Sequence, residues 1–215
     1  MHQDNDLSLA STKVARFASL GRSIKLIAGA VVVIMTWLSI ELGFVAFGLF
    51  LYLNLLLRRT HRVADVSEAG AVIAPIDGQV IAVRRDTSGL TIIMAGDLSA
   101  SQLIYAPISA SIEDKLWIDG AYLPFEDVAS HPLSAHYEFL LESQEGKMIS
   151  LSVFGGSWTR YIHAPFSDGQ HVSQGEPFAF GLMQSLVTVH LPATYQALVG
   201  EGTHIIAQQS CIAKL

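Results

Sequence analysis

The chain has 215 residues, of which 51% are hydrophobic and only 15% charged, with a formal net charge of −6. Soluble domains average about 25% charged residues, so the composition excludes a disordered or collagen-like chain and a charge-rich nucleic-acid binder. Residues 1–62 hold seven Lys/Arg and three Asp/Glu, net +4, whereas residues 63–215 hold six and sixteen, net −10. A basic, apolar start therefore precedes an acidic remainder of a size that suits one domain with a real core. The single cysteine, Cys211, excludes an internal disulfide and a Cys-rich zinc site, and no metal site is expected. Cys211 reads as a small buried apolar residue in a final strand.

In chain order, residues 1–25 form a basic tail whose first twelve residues are polar and read as disordered. From Leu26 to Leu57 runs a 32-residue apolar stretch with Glu41 as its only charge. It is too long for a signal-peptide core, and no small-residue cleavage site ends it. As one helix it would be about 48 Å long against roughly 30 Å of hydrocarbon, with Glu41 buried near mid-membrane at considerable cost. Lys13, Arg16, Arg22 and Lys25 precede the stretch, and Arg58, Arg59 and Arg62 follow it. Positive residues prefer the cytoplasm, so both ends are expected there. The reading is a transmembrane helical hairpin over residues 26–57, with two arms of about 15 residues turning near Glu41, Leu42 and Gly43; the alternatives are one tilted span and a buried core hairpin. Arms that short favour a shallow or thinned hairpin.

After His61 the apolar runs become short and are punctuated by Gly, Pro and Asp: AVIAPIDGQVIAV, LTIIMAG, MISLSVFGG, SLVTVHLPATYQALVG and THIIAQQSCIAKL. These predict strands bounded by turns, hence a mainly β domain over residues 63–215. Only the stretch from Glu126 to Ser134 reads as loop or short helix. Three turns resemble one another: Ile76 to Val80, Asp168 to Glu176, and Val199 to Ile206. Turns of the G-x-x-V-x-x-G-E type join short strands in barrel-sandwich folds such as lipoyl and biotinyl domains, and their glycines are expected at positive φ. Neither late lysine, Lys147 or Lys214, occupies a tight turn tip, which disfavours a swinging-arm carrier.

The pieces, taken in order, resemble phosphatidylserine decarboxylase of the short membrane-anchored type. Ala74-Pro75-Ile76-Asp77-Gly78 matches that family's Asp-Gly motif. Phe154-Gly155-Gly156 through Arg160 and Ile162 is similar to its arginine-bearing strand, and Gly169 to Phe180 to its glycine turn. Gly181-Leu182-Met183-Gln184-Ser185 aligns with the self-cleavage motif and Val189-His190-Leu191-Pro192 with its tail. The resemblance implies cleavage between Gln184 and Ser185, leaving a pyruvoyl group (bound pyruvate) made from Ser185 as the cofactor. That ketone would form a Schiff base with phosphatidylserine and accept the electrons released as CO₂ leaves, giving phosphatidylethanolamine. Asp77 would be the acid that works with a histidine to activate the serine. Arg160 would bind the lipid phosphate or the substrate carboxylate with its planar fork. The implied partners are a phospholipid membrane and phosphatidylserine, with no nucleic acid and with homo-oligomers allowed. The implied location is the cell (inner) membrane, with the β domain facing the cytoplasm.

The sequence departs from that pattern at several points. Gln102 stands where the family has its histidine, and Tyr105 where it has an arginine. An amide cannot act as a general base near neutrality, and the aligned position implies a substrate-binding role for Gln102 instead. Gln184 replaces a glycine at the scissile bond, and Ser134-Ala135-His136 replaces an Asn-Glu-Arg motif. His163 is the better substitute base, because His190 lies five residues after Ser185 and in a strand points to the opposite face. His131 and His136 fall in the expected loop. The alternative to an active decarboxylase is an unprocessed, inactive homologue that serves as a membrane-tethered lipid- or partner-binding module.

Overall fold

The computed structural model describes residues 23–56, 70–97, 101–124, 133–156, 161–181 and 185–215. The chain divides into two units, Met1–Arg59 and Thr60–Leu215. In the first, residues 23–38 (α1) and Ile40–Leu56 (α2) are helical. The helical path breaks at Ser39 rather than at 41–43, and α2 turns back on α1. A Cβ placed on Gly43 would lie 2.9 Å from the Thr36 Cα, and one on Gly29 would lie 3.9 Å from the Phe50 ring. Gly43 thus marks a close helix–helix approach, which needs its missing side chain, and not the turn. Glu41 falls in the first turn of α2, where the helix dipole favours a carboxylate. Apolar side chains point outward: Trp37, Phe44 and Val45 are 89%, 74% and 73% exposed. Among the described residues no helix is long and apolar enough to cross a membrane.

The second unit is mainly β. Its strands are β1 (Ala71–Ile73), β2 (Gly78–Arg85), β3 (Leu90–Gly96), β4 (Leu103–Tyr105), β5 (Ala110–Ile118), β6 (His136–Ser143) and β7 (Met148–Phe154). After them come β8 (Ile162–His163), β9 (His171–Val172), β10 (Pro177–Gly181), β11 (Leu186–Leu191), β12 (Gln196–Ala197), β13 (His204–Ile205) and β14 (Cys211–Lys214). Eight form one sheet in the order β13-β2-β3-β11-β7-β6-β5-β9, and two three-stranded sheets, β1-β14-β12 and β4-β10-β8, flank it in the chain's topology. All pairings between named strands are antiparallel.

This order has an internal two-fold repeat about the seam between β11 and β7. It exchanges β13 with β9, β2 with β5, β3 with β6, and one small sheet with the other. The backbone obeys it closely. The Ile73 N–H donates to the Pro107 carbonyl (3.0 Å), and the Tyr105 N–H donates reciprocally to that of Pro75 (2.8 Å). Those prolines sit in the matching segments Ala74-Pro75-Ile76 and Ala106-Pro107-Ile108. The register shifts after Val80 in β2 and, equivalently, after Ile112 in β5. The Gly202 N–H reaches the Val80 carbonyl (2.9 Å) as the Gly169 N–H reaches that of Ile112 (2.7 Å). Two of the three similar turns are therefore one element occurring once in each half. The first, at Gly78, lies beside the third, and Gln79 Nε2 donates to the Gly202 carbonyl (2.9 Å).

Alternation along the long strands builds the core. Ile92 and Met94 of β3, Val187 and Val189 of β11, Leu151 and Val153 of β7, and Phe139 and Leu141 of β6 are all fully buried. Phe178 closes over them, edge-on to Phe139 (4.5 Å) and stacked on Phe166 (5.4 Å). Each such side chain contributes about 1.5–3 kcal/mol on burial. Lys115, which the sequence left unremarked, ties β5 to the chain after β8. Its Nζ donates to the carbonyls of Ala164 (2.6 Å) and Phe166 (3.1 Å) and lies 5.0 Å from the Tyr137 ring centroid. Burial lowers its pKa, and the charge of Asp168 opposes that shift.

The turn glycines divide by mechanism. Gly169, Gly175 and Gly202 adopt positive φ (75°, 76° and 81°), as expected for such turns. Gly78 and Gly200 do not, and Gly78 is required for space: a Cβ there would overlap the Ala95 carbonyl on β3. Gly78→Ala should therefore force β2 and β3 apart and cost about 2 kcal/mol or more, since a clash with backbone cannot relax cheaply. The midpoint of urea unfolding, followed by intrinsic fluorescence of the full chain in detergent, checks this.

Candidate active site

Four strand ends converge on one small cleft. Ser185 immediately precedes β11, and its carbonyl accepts the N–H of Gly96 at the end of β3 (2.8 Å). The next residue, Asp97, donates its N–H to the carbonyl of Asp77, just before β2 (3.1 Å). Gln102 precedes β4, and its carbonyl accepts the Gly181 N–H at the end of β10 (3.1 Å). Asp77, Asp97, Ser101, Gln102 and Ser185 all line the cleft, with Ile76 and Ile104 as apolar walls. Ser185, Gln102 and Ser101 are buried, at 6%, 6% and 7% exposure. Asp77 is half-buried and Asp97 exposed.

Gly96 sits where the two sides close. A Cβ on it would come within 3.2 Å of the Ser185 carbonyl oxygen and 3.8 Å of that of Asp77. A side chain at 96 would press on the Ser185 carbonyl and touch that of Asp77, so the glycine leaves room between the two. Asp77 also has a local job. Its Oδ1 accepts the Ala207 N–H (2.8 Å), and in the other half Ser109 Oγ accepts the equivalent N–H of Gln174 (2.9 Å). A hydroxyl suffices for that turn, so the carboxylate at 77 adds charge beside Ser185 that the turn does not need.

The histidines lie elsewhere. His163, on β8, pairs with Phe180 of β10 and stacks on Tyr161 (6.3 Å), and it is not among the described residues that line the cleft. His190 is at the other end of β11, with its Nδ1 2.9 Å from Thr91 Oγ1. His136 begins β6 rather than lying in a loop. It is buried, with Nδ1 2.7 Å from the Ser134 carbonyl and its ring stacked on Phe154 (4.5 Å). That stacking and the cross-strand pairing extend the strand back to residue 136. Arg160, Gln184 and His131 lie outside the described residues.

Sequence reasoning missed Asp97, Ser101 and Gly96. The available signal was Gly96-Asp97 closing one strand just as Asp77-Gly78 opens another. Two chemical features follow from the arrangement. A buried hydroxyl stands beside carboxylates, and a buried amide occupies the family's histidine position. Asp77→Ala should strand the Ala207 N–H and lower stability by about 1–2 kcal/mol. Asp77→Ser should unfold within about 0.5 kcal/mol of the unaltered chain, because Ser109 does the same work in the equivalent turn. Paired denaturation curves distinguish the two.

No protein-family model matches the chain. Among curated proteins it is 27% identical over 152 residues to the phosphatidylserine decarboxylase proenzyme of Nitrosomonas eutropha, covering 68% of this chain and 70% of that protein. It is 28% identical over 200 residues to the proenzyme of the same name from Azorhizobium caulinodans, covering 87% and 84%. With that of Symbiobacterium thermophilum it shares 25% identity over 193 residues, covering 86% and 89%. Over most of its length, the chain resembles phosphatidylserine decarboxylase proenzymes.

Proposed function

We propose that this chain is a membrane-tethered phosphatidylserine decarboxylase-like enzyme that makes its own pyruvoyl group from Ser185. The observation that carries this reading is the meeting of Asp77, Gln102 and Ser185 in one cleft. These three motif positions lie far apart in a chain similar to such proenzymes over most of its length. The paired small sheets and their glycine turns support a barrel-sandwich-like description of the β domain.

The fold suits a cut before Ser185. The piece 185–215 supplies β11 between β3 and β7, as well as β12, β13 and β14. It would stay bound by its sheet pairings after the peptide bond is broken. The Ser185 carbonyl would remain anchored on Gly96, which fixes the new N-terminus in the cleft. A ketone at that position supplies an electron sink for loss of CO₂ from an amine-bearing substrate. The carboxylate of Asp77 would set the charge around Ser185, and the Gln102 amide would orient a polar group without exchanging a proton. Arg160 would hold the lipid phosphate or the substrate carboxylate.

For the membrane, the exposed apolar side chains of α1 and α2 and the basic residues on both flanks support an inserted hairpin. The 17 residues of α2 span about 25 Å at 1.5 Å per residue, short of roughly 30 Å of hydrocarbon, so a shallow seat in the inner membrane fits best. The β domain would face the cytoplasm, close to its lipid substrate. The second reading, an unprocessed lipid- or partner-binding homologue, is favoured by the amide of Gln102 where the family motif has a base.

Intact-mass analysis of the full chain in detergent tests the choice. Fragments 1–184 and 185–215, the latter bearing a borohydride-sensitive group, are expected, with Ser185→Ala left whole. An uncut chain in a fresh preparation would sink the enzyme reading in favour of the second. For the anchor, Arg58→Glu with Arg59→Glu should disturb the orientation of the β domain, read by protease protection in sealed vesicles. Unaltered protection would remove the charge-based topology.

A further inference from the structure

We propose that Asp97 is the catalytic base of self-cleavage, accepting the Ser185 hydroxyl proton in place of the histidine that Gln102 displaces. This rests on the proposed self-processing. Among the described residues that line the cleft, only Asp77 and Asp97 carry a carboxylate. Asp77 is already engaged, since its Oδ1 accepts the Ala207 N–H (2.8 Å) in a turn-holding bond that Ser109 reproduces in the other half. Among the described residues no backbone N–H is held by the Asp97 carboxylate in that way, and Asp97 follows directly on Gly96, whose N–H bonds the Ser185 carbonyl. The Gly96 N–H holds the Ser185 carbonyl (2.8 Å), and the Asp97 N–H holds that of Asp77 (3.1 Å). The dipeptide 96–97 therefore spans the cleft from the serine to the acid. Asp97 is also exposed, so its carboxylate is open to solvent at the mouth of the cleft.

The step balances without a further reagent. Asp97 takes the proton from Ser185 Oγ, and the freed oxygen pair bonds to the carbonyl carbon of Gln184. The C–N bond of that peptide breaks with its electron pair on the nitrogen of residue 185, which receives the proton back from Asp97. The ester and free amine that result contain the same atoms as the starting peptide; the chain parts when residue 185 loses its Cα proton and its Cβ–O bond breaks with the electron pair on the new Gln184 carboxylate, and water then replaces the amine as ammonia to leave the ketone.

Cleavage kinetics of freshly made full chain in detergent, followed by intact mass, test the assignment. Asp97→Asn is close in shape and keeps the backbone bond to Asp77. It should slow cleavage by about 10²–10⁴-fold, the usual worth of a general base. Its unfolding midpoint should match that of the unaltered chain. Asp97→Ala should be equally slow, and formate should accelerate it in proportion to concentration, because a small carboxylate can occupy the vacated space. A merely structural loss would not respond to formate. Asp97→Asn that cuts at the unaltered rate overturns the proposal and leaves self-processing intact. So does slow Asp97→Ala that formate does not help, or a chain in which His163→Ala abolishes cleavage while Asp97→Asn does not. An unaltered chain that never cuts overturns the proposal together with the self-processing on which it rests.

Discussion

The insertion of β11 between β3 and β7 is the constraint on which the rest of the β domain depends. Its residues Leu186–Leu191 pair with Ala95–Leu90 on one side, and Leu186–His190 pair with Phe154–Ser150 on the other. This late strand joins the two hairpin systems into one sheet, and without it β2-β3 and β5-β6-β7 would be separate edges exposed to solvent. Val187 and Val189 carry its inner face into the core, fully buried. The residue that starts it, Ser185, is thereby held in place by a ladder that runs away from the cleft.

The two-fold repeat shows what distinguishes the cleft from its counterpart. The Gly96 N–H bonds the Ser185 carbonyl, and in the matching place the Ser143 N–H bonds that of Lys147 (2.9 Å). Asp77 matches Ser109, and Asp97, which follows Gly96, matches Gln144, which follows Ser143. One end of the fold thus carries a glycine, two acids and a serine. The other carries an exposed turn in which Glu145 and Lys147 approach to 3.7 Å. The bond is shared, but Ser143 and Lys147 flank a tight turn between β6 and β7, whereas Gly96 and Ser185 end strands that are far apart in the chain. A fold repeated in this way can keep one half as structural support while the other carries reactive groups.

Much of this was legible in the residues. The long apolar stretch with a single charge marks a helical unit apart from the β domain. The short runs punctuated by Gly, Pro and Asp mark strands, because a side-chain period of two is a local property of the chain. The likeness of the turns at Gly169 and Gly202 anticipates their common geometry, since positive φ is also a local demand. Other features were misread for the same reason. The helical break falls at Ser39, with Gly43 packed close against Thr36, and β6 starts at His136, whose ring stacks on Phe154 of β7. Both are contacts between segments, invisible to a local pattern.

What the sequence alone determined is the mainly β character of the larger part of the chain and the motif order that resembles phosphatidylserine decarboxylase. Tertiary structure decided which of those motif residues meet. Asp77, Gln102 and Ser185 line one cleft and His163 is not among its described lining residues, although all four stood equally in the sequence. Asp97, Ser101 and Lys115 carried no pattern of their own and gained meaning only from their neighbours. The physical reason is that strand register is non-local. Each strand's own alternation selects the face it buries, but only its pairing with distant strands selects which strand ends, and so which side chains, come together.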